Sequence, residues 1–69
     1  MANKFEYKEK DLLGGWSIEV RKGEIPIGNI RKNPQNGALQ YFHGINNILN
    51  YTFQENNLDV LKKIIEASY

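Results

Sequence analysis

Catalytic chemistry in this 69-residue chain would have to start from very few side chains. His43 is the single histidine, cysteine is absent, and Ser17 and Ser68 are the only serines. A Ser-His-Asp relay would have to recruit Ser17, which no strained nucleophile elbow lifts out of its strand. Glu19 and Glu24 could supply the carboxylate pair of a glycosidase, but both read as solvent-facing hairpin positions with Arg21 beside them. One histidine without clustered carboxylates is too few ligands for zinc, and no Asp-rich loop is present for calcium. The glycines are scattered and form no strand-to-helix loop that would cradle a phosphate. These residues predict no enzyme, no metal and no cofactor.

Binding chemistry is better represented. Aromatic side chains interleaved with arginine on an exposed sheet can stack bases or anchor a protein interface. If Phe42 points inward with Leu49, Tyr51 and Phe53, then Tyr41 and His43 lie outward alongside Ser17, Glu19 and Arg21. Arg21, Arg31, Tyr41 and His43 are therefore the expected partner-contact residues. Arg21, Lys22, Arg31 and Lys32 are the residues a nucleic acid would use instead. The two pairs of basic residues fall at opposite ends of one hairpin, which splits the charge rather than striping it.

That hairpin, Trp16 to Lys32, must position the basic groups and the floor of the sheet. Lys22-Gly23 fits a two-residue turn, setting Arg21 opposite Glu24, Val20 opposite Ile25 and Ile18 opposite Ile27. A slip of one residue would send Ile25 and Ile27 to the polar face, losing roughly 1.5–3 kcal/mol of burial for each. Pro26 cannot donate to a ladder, so the second strand is either an edge at that point or its missing N–H faces outward between ladder bonds. An extra residue at Gly28-Asn29 would return Ile30 to the apolar face beside Trp16, which predicts a β-bulge there.

Elsewhere, residues 1–11 suit either an edge strand or a flexible arm, and Leu12-Leu13-Gly14-Gly15 reads as a turn into the hairpin. Lys32 to Gly37 reads as an exposed loop tip, followed by a strand over Ala38–His43 that Gly44 ends. Residues 45–53 fit both helical and strand spacing, and their Tyr, Thr and Phe favour a strand near 48–53. A C-terminal helix begins at the N-cap Asn57, with Asp59 in its first turn and Leu58, Leu61, Ile64 and Ile65 as its apolar stripe. Glu66 is placed to pair with Lys62.

The fold class expected is α+β: a small antiparallel meander of three to four strands packed against one C-terminal helix, forming a single domain over residues 1–69. Strands followed by a helix are similar in outline to the arm-type DNA-binding domain of phage integrases; that resemblance of fold implies nucleic-acid binding through the basic hairpin ends, without a residue motif to carry over. Nine Lys and Arg against eight Asp and Glu give a net charge of +1, well short of the basic excess that counterion release requires. No apolar run reaches the roughly 20 residues of a membrane span, and the first residues lack a signal peptide's apolar core. The expectation is a soluble cytoplasmic protein-interaction module, an accessory or inhibitor acting on a larger protein. A chain this short stands at the lower limit for a self-sufficient core, so an edge-paired homodimer is a further expectation.

Overall fold

The structure, a computed structural model, describes residues 4–12, 15–45, 47 and 49–69. Among the described residues, five antiparallel strands follow one another as a meander: β1 (Phe5–Leu12), β2 (Gly15–Lys22), β3 (Ile25–Lys32), β4 (Leu39–His43) and β5 (Phe53–Glu55). One helix, α1 (Leu58–Ser68), closes the chain. The α+β class is as expected, with one strand more than the upper count. Part of the difference is the N-terminal segment, which is a full edge strand paired along β2 from Phe5↔Lys22 to Leu12↔Gly15. Leu13 and Gly14, assigned to the turn before the hairpin, lie outside the described residues.

The β2–β3 hairpin forms, but its turn sits one residue later than expected. Gly23 and Glu24 make the loop, and Gly23 adopts φ 65°, a left-handed conformation that only glycine takes without a Cβ penalty. Lys22 then faces Ile25 and Arg21 faces Pro26. The register shifts between Val20 and Arg21, so Val20 faces Gly28, Ile18 faces Ile30 and Ser17 faces Arg31. Ile27 is thus the bulged residue, one place before the predicted site. Its carbonyl stays satisfied, accepting from the Gly44 N–H at 2.7 Å and from the Tyr41 hydroxyl at 3.2 Å. The later turn moves β3 two places along β2 without changing its faces, and the bulge then inverts them beyond Ile27, so that Ile30 joins Ile18 and Val20 and is fully buried while Ile25, at the hairpin end, is exposed. Pro26 lies beyond the last β3–β4 pair, Gly28↔His43, where its missing N–H costs no ladder bond.

Packing follows from that register. Ile18, Val20, Ile30, Leu39 and Tyr41 form the sheet side of the core, and Leu61 and Ile65 of α1 cover them. Phe5, Tyr7, Trp16, Ile27, Phe53, Leu58 and Tyr69 pack around this centre. Asn57 caps the helix, its side-chain oxygen accepting from the N–H groups of Asp59 at 2.8 Å and Val60 at 3.2 Å. Glu66 does not turn to Lys62; it accepts from the Tyr7 hydroxyl at 2.7 Å, while the Lys62 ammonium lies 4.6 Å from the Tyr7 ring centre. Both helix residues are drawn to the sheet because Tyr7 offers a hydrogen-bond donor and a π face in one side chain.

Among the described residues of 45–53 only Phe53 lies in a strand, in place of the strand expected near 48–53; Asn46 and Ile48 lie outside the described residues. The strand here is β5, Phe53–Glu55, which lies against Tyr41, Gln40 and Leu39, and the Thr52 N–H before it donates to the Tyr41 carbonyl at 2.7 Å. Before β5, Asn47 donates to the carbonyls of His43 at 2.8 Å and Asn50 at 3.2 Å, and accepts from the Leu49 N–H at 3.3 Å. Asparagine side chains that bond nearby backbone compete with a ladder, which accounts for the late start of β5.

Candidate interaction surface

The sheet face opposite α1 is built from alternate positions of each strand. Glu6, Lys8 and Lys10 of β1 stand beside Arg21, Glu19 and Ser17 of β2 in paired positions. Asn29 and Arg31 continue the face on β3, followed by Gln40 and Phe42 on β4 and Gln54 on β5. Its charges are joined into a small network. Lys10 reaches one carboxylate oxygen of Glu19 at 2.7 Å, and Arg21 reaches the other at 2.6 Å while also donating to the Glu24 carbonyl at 2.7 Å. The hydrogen bond from Lys10, then that from Arg21, holds the Glu19 carboxyl below the usual carboxylate range. Gln40 and Gln54 bond side chain to side chain at 2.8 Å.

Next to this network lies an open depression of about 260 Å³ lined by Lys10, Glu19, Pro26, Gly28, Asn29 and Ile45. Ile45 is 70% exposed, and Leu49 and Tyr51 on the same β4–β5 loop are 84% and 49% exposed. Tyr51 meets the ring of Phe42 edge-on with centroids 6.4 Å apart. Phe42 is therefore buried on this face rather than in the core beneath the helix.

That reversal moves two predicted contact residues. Tyr41 is wholly buried under α1, stacked near Phe53 and hydrogen-bonded at 2.9 Å to His43 Nδ1. Its position opposite Ile30 puts it on the helix side. His43 lies on that side too, exposed at the end of β4, with its ring parallel to Tyr69 at 4.1 Å. The expected outward placement of both fails for one reason: adjacent aromatics at 41 and 42 both become buried, on opposite faces, so hydrophobicity alone cannot set the parity of β4.

Of the basic residues, Arg21 is on the outer face within the Glu19 network. Lys22 is on the helix side, donating to the Tyr69 carbonyl and lying 5.7 Å from the Phe5 ring centre. Lys32 lies 5.8 Å from the Trp16 ring centre, and with Arg31, Gly15 and Pro34 these residues line a second open depression of about 370 Å³. Trp16 itself is half-buried against the core, its indole N–H donating to Glu9. The structure thus brings together Arg31, Lys32 and Trp16 at one end, and places Arg21 and Lys22 on different faces at the other. Ile45, Leu49 and Tyr51 were not anticipated as surface residues; the run of asparagines around them is the signal that marks a loop.

No helix among the described residues is long and apolar enough to cross a membrane. No family model matches the chain, and comparisons with curated proteins and with solved structures likewise return no match.

Proposed function

We propose that this chain is a small non-enzymatic protein-interaction module, an accessory or inhibitor of a larger cytoplasmic protein. The observation that carries the reading is the apolar group Ile45, Leu49 and Tyr51, exposed on one loop, of which Ile45 lines a depression with Lys10 and Glu19 of the charged network. Apolar side chains exposed beside a polar, hydrogen-bonded rim are the anatomy of a protein–protein contact. Arg21 and Arg31 stay with this proposal as rim residues. Tyr41 acts through the core, and His43 contributes only if the partner reaches over the end of β4.

A second reading, nucleic-acid binding through Arg21, Lys22, Arg31 and Lys32, draws on the corner where Trp16 gathers Arg31 and Lys32. Against it, Arg21 already serves Glu19, and Lys22 turns to the helix side. A phosphate track needs cations free to replace counterions along one surface.

One experiment separates the two. Wild type and a Leu49→Glu/Tyr51→Ala variant are used as baits in cells that express the protein. The expected result is one or more protein partners retained by wild type and lost by the variant. An identical partner set for both baits would remove the loop from the interface. A labelled duplex bound by both proteins in a salt-dependent manner would support the second reading.

A further inference from the structure

The edge formed by β1 has a charge order and a hydrogen-bond phase that suit one particular occupant. The Lys4 carbonyl accepts from the Gly23 N–H at 2.7 Å, which fixes the phase of the β1–β2 ladder. Groups pointing into an antiparallel ladder alternate, so Glu6, Lys8 and Lys10 turn their backbone polar groups toward β2. The N–H and C=O groups of Phe5, Tyr7, Glu9 and Asp11 consequently point outward, along an eight-residue strand with no proline and no register shift. At the other edge, β5 offers only three residues. Short edges resist added strands and long ones accept them.

We propose that two copies of this chain pair antiparallel through β1, about a two-fold axis at Tyr7, making one continuous sheet from the two five-stranded sheets. Tyr7 then faces Tyr7 of the second copy and Phe5 faces Glu9, all with outward-pointing backbone groups that bond across the axis. Between them, Glu6 faces Lys8 of the second copy in the closer, non-hydrogen-bonded pairing, twice by symmetry. Within the chain Glu6 already faces Arg21 and Lys8 faces Glu19. The row across the joined sheets therefore runs Arg21, Glu6, then Lys8 and Glu19 of the second copy, alternating in sign at every step. Shifting the register by two residues loses this order, because it sets Lys8 against Lys8 or Glu6 against Glu6. The axis is normal to the sheet, so both helices stay on one side and the two outer faces join. This surface is distinct from the β4–β5 loop, and self-association is measured without reference to any other partner.

Sedimentation equilibrium of the full chain from about 1 to about 500 µM tests the pairing. Wild type is expected to dimerise. Lys8→Glu and Glu6→Lys each set like charges across the axis and should weaken the dimer about tenfold or more, whereas an equimolar mixture of the two variants should recover a heterodimer. A wild type that stays monomeric throughout, single variants that dimerise unchanged, or a mixture that fails to associate would each overturn the proposal. Amide exchange on wild type adds a readout independent of the variants' folding. The amides of Phe5, Tyr7 and Glu9 should be protected wherever the dimer is populated, and amides that exchange as freely in the dimer as in a monomer would also overturn it.

Discussion

Gly28 shows how much one residue can decide. It is buried in β3, and a Cβ built there would fall on the Phe42 carbonyl oxygen and lie 2.6 Å from the Tyr41 hydroxyl and 2.8 Å from its ring. The obstacle includes backbone of the neighbouring strand, which cannot swing aside as a side chain can. Gly28→Val is expected to destabilise the protein by about 2–4 kcal/mol, measured by urea denaturation, through forced separation of β3 and β4. Stability unchanged from wild type would mean that Tyr41 does not cross this position. Glycine is thus required by close approach at Gly28, whereas at Gly23 it is required by the turn's positive φ.

At the scale of elements, α1 is held by its cap and by its apolar stripe. Asn57 satisfies two of the helix's otherwise unpaired N–H groups. Asn57→Ala should cost about 0.5–2 kcal/mol, read as a lowered thermal midpoint, while Asn57→Asp should stay close to wild type because aspartate caps as well. Equal losses for the two substitutions would argue against capping as the role of this side chain. The stripe Leu58, Leu61, Ile64 and Ile65 was legible from spacing, and Leu61 and Ile65 are indeed fully buried. The hairpin was also legible as an element, but its pairing was not. Lys22-Gly23 and Gly23-Glu24 both satisfy the local preference of a two-residue turn, and a bulge can compensate for either choice. The choice is decided by the core, which places Ile30 opposite Ile18 and leaves Gly28 free for Tyr41 to cross.

For the molecule as a whole, the same core controls its response to alkali. Burial pushes the Tyr7 phenol well above its ordinary value of 10.0, and Glu66 adds to the shift through its hydrogen bond and its charge. Burial raises Tyr41 as well, with Tyr69 contributing. A raised folded-state value means that the fold favours the neutral phenol, so this stabilisation is complete below about pH 10 and is lost as pH climbs beyond it. Thermal melts from about pH 8 to about pH 11 should show the midpoint falling above pH 10, and Tyr7→Phe should flatten that fall. An identical decline in the variant would exclude Tyr7 as a source of the alkaline sensitivity.

The sequence by itself determined the class of the fold, the existence of the hairpin, the Asn-Pro-Gln-Asn-Gly loop and the capped helix with its stripe. Each of these depends on local chemistry: alternation, turn residues and helical spacing act within a few positions of the residues that carry them. Tertiary structure alone decided the face of Tyr41 and Phe42, the position of the bulge and which apolar side chains were left exposed. Two neighbouring aromatics cannot share a face of one strand, and either assignment buries a large ring. The outcome depended on Gly28, Ile30 and Tyr69, which meet Tyr41 only after β3 and α1 have packed around it.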